Sequence, residues 1–121
     1  MLFPHSVTIS DVVITATDEG RGIGIEETTS FVCEVTTIVP PMDLNITWFR
    51  AENNSNVQLF QNEDNINITT EAQNTTMRST LTIRVTGMED YTQYYCLANS
   101  GNSTVMSNGT VTIRRPGETL L

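Results

Sequence analysis

The stretch Asp90-Tyr-Thr-Gln-Tyr-Tyr-Cys96 decides how this chain is to be read. Tyr94 stands two residues ahead of Cys96, so in an extended strand the two side chains share one face. Working outward, the one other cysteine is Cys33, and the single tryptophan, Trp48, lies between the two cysteines. Cys33 and Trp48 each sit in a run of alternating apolar and polar residues, the signature of a strand with one buried face.

The same period of two continues along the chain, and no helical stripe interrupts it. Ser6 to Thr17 is expected to form the first edge strand or a split pair. Thr28 to Thr36 follows, with Phe31, Cys33 and Val35 inward. Asn45 to Ala51 places Ile46 and Trp48 inside and leaves Thr47 and Phe49 on the opposite face. Val57 to Gln61 and Asn67 to Glu71 make short middle strands between asparagine-rich turns. Ser79 to Val85 is a strong strand, with Leu81, Ile83 and Val85 inward. After a turn at Gly87, Gln93 to Asn99 directs Tyr94 and Cys96 to the core. Gly101-Asn102 makes a hairpin turn into a last strand from Val105 to Arg115, which Pro116-Gly117 ends. The fold class is all-β. One domain over residues 6 to 115 is expected, with 116 to 121 as linker or tail.

With 121 residues, the chain is long enough for one core and too short for two. A net charge of -8 with six Lys and Arg excludes nucleic acid and anionic lipid as partners, because both require clustered cations. No run approaches the length of about eighteen apolar residues that spans a bilayer, so no membrane insertion by this stretch is expected. Met1 to Ser10 lacks the basic start and apolar centre of a secretory signal, so an excised or mature fragment of a longer exported protein is expected. Asn-x-Ser/Thr sequons occur at Asn45, Asn53, Asn67, Asn74, Asn102 and Asn108. Chance would give about two or three among eleven asparagines, so the excess favours a glycosylated extracellular surface. For the cysteines, free core thiols and a metal pair stand beside a disulfide. A lone pair cannot complete a four-ligand zinc site, and the single histidine, His5, is remote in sequence.

Cys33, Trp48, Leu81, Asp90, Tyr94 and Cys96 together resemble the pattern of an immunoglobulin-superfamily domain over about residues 6 to 115. The resemblance implies a Greek-key sandwich of two antiparallel sheets, clipped by a Cys33–Cys96 disulfide with Trp48 packed on it. A loop of that length would limit the unfolded chain by roughly 4 kcal/mol in the entropy model. It also implies that the Tyr94 hydroxyl bonds the backbone just upstream as a tyrosine corner, with Asp90 accepting hydrogen bonds there. The short span from Trp48 to Cys96 resembles the intermediate set more than the variable-like one. Strand G lacks the Phe-Gly-x-Gly bulge motif of antibody variable domains. Position 69 is Thr where an Arg would pair with Asp90, and Thr86 stands where an apolar residue is expected, beside Val85 and Met88.

No nucleophile constellation is present, so this domain is expected not to be an enzyme, although a longer parent could carry a kinase. Gly20-Arg-Gly-Ile-Gly24 is a turn between strands, since no βαβ unit frames it as a dinucleotide loop. Asp18-Glu19, Glu26-Glu27 and Glu63-Asp64 lack the spaced oxygens of a calcium loop and belong to an acidic surface; no cofactor or metal is implied. What remains is recognition. Phe49, Arg50, Leu59, Phe60, Tyr95 and Leu97 suggest an apolar sheet face, and the family pattern turns Phe49, Tyr95 and Leu97 outward on the C, F and G sheet. The expected role is an extracellular adhesion or recognition module of a cell-surface protein, with a protein ligand, a counter-receptor or a second copy in a homodimer as partner. A ligand-binding module of a receptor tyrosine kinase or similar signalling receptor, and a structural spacer, are the alternatives. Two chains at -8 repel one another, so a homodimer would be weak or salt-favoured.

Overall fold

Alternating β-branched and aromatic residues favour a pleated, half-buried surface, and this chain is rich in such runs. The computed structural model describes residues 9–17, 22–38, 44–52, 55–61, 63, 65–87, 92–101 and 103–114. Among them run nine strands and no helix: β1 Ile9–Ala16, β2 Thr28–Thr37, β3 Leu44–Glu52, β4 Ser55–Leu59, β5 Ile66–Gln73, β6 Thr76–Arg84, β7 Gln93–Ser100, β8 Ser103–Met106 and β9 Val111–Thr112. They form two antiparallel sheets. One has the order β1-β2-β6-β5; the other has β4-β3-β7-β8, with β9 also pairing with β7.

The core between the sheets is built from the inward positions of each strand. Phe31, Cys33 and Val35 of β2, Leu81 and Ile83 of β6, Val85 just past it, and Tyr94, Cys96 and Ala98 of β7 are all buried. At its centre two cross-strand pairs face one another. Trp48 lies opposite Cys96 in the β3–β7 register, and Cys33 lies opposite Ser79 in the β2–β6 register. The Cys33–Cys96 disulfide forms one side of this square from sheet to sheet, and the Trp48 indole N–H donates to Ser79 Oγ at 2.9 Å along the opposite side. Ser79 also accepts from Thr70 Oγ1 at 3.1 Å. Phe31 and Tyr94 meet across the sheets with ring centroids 5.4 Å apart.

Two parts of the chain differ from the sequence expectation. The last strand, expected to run unbroken from Val105, is interrupted: Met106 lies opposite Leu97 and Val111 opposite Tyr94, so Tyr95 and Cys96 face the whole stretch from Ser107 to Thr110. Hydrogen bonds from the side chain of buried Ser107 hold this bulge. Its Oγ accepts from Cys96 N and donates to the Gly109 carbonyl at 2.8 Å, while Ser107 N donates to the Cys96 carbonyl. The second difference concerns the glycine-rich segment. Ile23 is a core residue, 3 % exposed, and its N–H donates to the Arg114 carbonyl at 2.7 Å, so this end of the segment docks beside the chain just past β9, and the turn follows it, closed by Glu27 N donating to the Gly24 carbonyl at 3.1 Å. Elsewhere the strands begin or end a few residues from their expected bounds. The expectations for residues 6–8, for the corner at Asp90 and Met88, and for 115 to 121 lie outside the described residues. Thr86 is exposed, and its neighbour Val85 is buried in the core.

Replacing Ser79 by Ala strands the indole N–H in the core, and the loss should be about 1–3 kcal/mol in urea unfolding. Trp48→Ala should cost about 3–5 kcal/mol by the same measurement. Equal stability of either variant with the parent would contradict this core.

Candidate functional site

The outer face of the β4-β3-β7-β8 sheet is ordered in rows set by the strand register. Gln58, Phe49 and Tyr95 form one row, Thr47, Leu97 and Met106 the next, and Asn45, Asn99 and Thr104 the third. Successive rows are about 7 Å apart, twice the rise per strand residue. Their side chains point away from the core because Trp48, Tyr94, Cys96 and Ala98, at the alternate positions, are buried between the sheets.

Phe49 and Tyr95 stack with centroids 5.3 Å apart and planes 10° from parallel. An offset pair of this kind adds about 0.5–1.5 kcal/mol beyond the area it buries. The stack changes the expected role of Tyr95. Its ring is on the predicted face but is only 8 % exposed, so it supports the surface more than it offers contact area. Phe49 and Leu97 are half-buried, and Met106 is 58 % exposed. Met106 is the residue that sequence reasoning missed, although its place opposite Leu97 follows once the hairpin register is known. Leu59 and Arg50 do not belong to the face: Leu59 is a core residue, and Arg50 Nε lies 2.8 Å from Glu52 Oε2, an ion-pair approach too bent for a hydrogen bond. Phe60 is exposed just beyond β4.

Charge distinguishes the two outer faces. The described strand residues on the Phe49 side are Asn, Thr, Gln, Ala and the apolar side chains named above; none is charged. On the other sheet Glu34, Arg78 and Glu71 face each other across three strands. The Glu34 carboxylate, 2.6 Å from Arg78 Nη2, raises the guanidinium pKa further, chiefly through the hydrogen bond and then through its charge. The Glu27 and Glu63 carboxylates, which the sequence places in acidic clusters, accept hydrogen bonds from Gly24 N and Phe60 N and so brace their own loops.

Of the sequon asparagines, Asn45 is exposed in the third row, Asn67 is exposed on the edge strand β5, and Asn74 is in the β5–β6 turn with φ 53°. Asn108 is exposed in the bulge after β8, whereas Asn53 and Asn102 lie outside the described residues.

The family signature described as immunoglobulin domain matches residues 23–108, a span that contains the disulfide, Trp48 and all three rows. Comparison with curated protein sequences gives no significant match. Two substitutions on the face should behave differently. Tyr95→Ala, which removes a buried stacked ring, should lower stability by about 2–4 kcal/mol, and Met106→Ala should stay within about 0.5 kcal/mol, both measured by thermal and urea unfolding.

Proposed function

The chain belongs to the immunoglobulin domain family, and from that premise we propose that it is an extracellular recognition or adhesion module that docks another protein domain on the outer face of the β4-β3-β7-β8 sheet. A second copy of the chain is the first partner to test. One observation carries the reading: a chain of net charge -8 keeps charge off the described strand positions of one sheet face, where the stacked Phe49 and Tyr95 stand in the row next to Leu97 and Met106. Contiguous apolar surface on one face of a small domain marks an interaction site more often than chance does.

Physical chemistry favours a partner of the same character. Burying an unpaired charge at an interface carries a desolvation cost, and an uncharged face avoids it. Two copies facing one another through these rows bring no carboxylates of the described strands together, and a two-fold pair needs one self-complementary patch. Long-range repulsion between two acidic chains still weakens the pair, and salt relieves it. Export goes with this reading, and the sequons at Asn45, Asn53, Asn67, Asn74, Asn102 and Asn108 are then acceptors for N-linked sugar. A glycan on Asn45 would stand in the third row, about 7 Å from the Leu97 row and about 13 Å from the Phe49 row, and would screen that end of the face.

Sedimentation of the secreted protein over a range of concentration and salt tests the proposal. Association that strengthens with salt and is lost in the variant Leu97→Asp with Met106→Asp, at an unchanged unfolding midpoint, is the expected result. A monomer at all concentrations, or a dimer indifferent to both substitutions, would remove the second copy as partner. Failure of the same face variant to weaken the capture of any candidate receptor domain would remove the face itself.

A further inference from the structure

The two edges of the β1-β2-β6-β5 sheet carry the same device. A sheet edge presents unpaired backbone groups to which another chain can add a strand. On β1 two of those groups are occupied from across the sandwich: Asn108 N donates to the Val12 carbonyl at 3.0 Å, and Asn108 Oδ1 accepts from Ile14 N at 3.2 Å. The side-chain carbonyl of Asn108 thus takes the place that a strand's own carbonyl would have. On β5, Ile68 N donates to Gln61 Oε1, and Gln61 Nε2 donates to Asn67 Oδ1 at 2.8 Å. In both places a sequon asparagine has its Oδ1 anchored in the fold, while its Nδ2 has no partner among the described residues. Asn65 and Asn99, which lie outside sequons, do the reverse and donate from Nδ2, to the Arg84 carbonyl and to Thr104 Oγ1.

We infer that Asn67 and Asn108 are N-glycosylation sites whose sugar stems the fold orients, and that the two glycans close both edges of the β1-β2-β6-β5 sheet to strand addition. The inference rests on the reading of an exported domain. The transfer itself balances simply. The amide nitrogen Nδ2 bonds to C1 of an oligosaccharide carried on a lipid pyrophosphate; the C1–O bond breaks, the pyrophosphate leaves with its electron pair, and the amide loses one proton. Oδ1 keeps its lone pairs, so the hydrogen bonds from Ile14 N and Gln61 Nε2 survive modification. With Oδ1 held, the amide plane is set, and the first sugar leaves each edge in a defined direction.

The test uses the chain secreted from eukaryotic cells, with Thr69→Ala and Thr110→Ala to abolish the two sequons while retaining both asparagine amides. Glycopeptide mapping of the parent should find sugar on Asn67 and on Asn108. The double threonine variant should unfold within a few degrees of the parent, yet at high concentration and 37 °C it should accumulate roughly tenfold more high-mass species, by light scattering, with an intermolecular β-sheet infrared band. Those species should persist when Leu97→Asp and Met106→Asp are added, because they form at edges. Asn67→Gln with Asn108→Gln removes sugar and anchored amide together and should lower the unfolding midpoint further than the threonine pair does. Absence of sugar at either site in the parent, or a double variant as monodisperse as the parent, overturns the inference and leaves the face proposal standing. High-mass species that vanish with the two face substitutions also overturn it, and in that case favour the face.

Discussion

The square formed by Trp48, Cys96, Cys33 and Ser79 is the constraint on which the rest of the structure depends. Two of its sides are backbone registers within the sheets, one is the Cys33–Cys96 covalent bond, and one is the indole N–H to Ser79 hydroxyl hydrogen bond. Slipping the pairing of β3 on β7 or of β2 on β6 by one residue would break the last two and turn the slipped strand's inward side chains to the outer face. The indole also explains a serine that is fully buried: a polar group is tolerated inside when its hydrogen bonds are made, and Ser79 Oγ accepts from both Trp48 and Thr70.

Fixing the sheets in this way fixes what their outer faces present. Because Trp48 and Cys96 point inward, Phe49, Tyr95 and Leu97 must point outward, and the Phe49–Tyr95 stack stiffens the middle of that face. Among the described residues, Glu34 and Glu71 flank Arg78 on the opposite sheet, Glu26, Glu27 and Glu63 lie in loops, and Glu52 ends β3 on the alternate side from Phe49. A protein that is strongly acidic as a whole therefore offers one neutral, partly apolar sheet surface. Such a surface contributes contact without the cost of stripping water from charge.

Much of this was legible in the sequence because period two is a strong signal where one face is buried. Phe31, Cys33 and Val35, then Leu81, Ile83 and Val85, then Tyr94 and Cys96 all lie inward as the alternation requires. What the sequence concealed depends on side-chain to backbone bonds and on long-range register. Nothing in Val105 to Arg115 announces that Ser107 will bond the Cys96 amide, or that Asn108 will reach the edge of β1, and those bonds break the strand. Ile23 is hidden among glycines, and its burial follows from a contact with Arg114 at the far end of the domain. Tyr95 was placed on the correct side, yet its low exposure comes from a stacked neighbour, which alternation alone does not register. The corner at Asp90 lies outside the described residues, so its role stays the expectation that the family resemblance implies.

The neutral face as docking surface is tested most directly by methyl resonances of the five methionines, followed by NMR as the secreted protein is concentrated or titrated with a candidate partner domain. Met106 stands in the Leu97 row, and Met77 is partly buried inside β6 on the opposite sheet, so the two report on different sides of one molecule. The account predicts that the Met106 methyl shifts and broadens as complex forms while Met77 holds its position. Complex formation that leaves Met106 unmoved would contradict it.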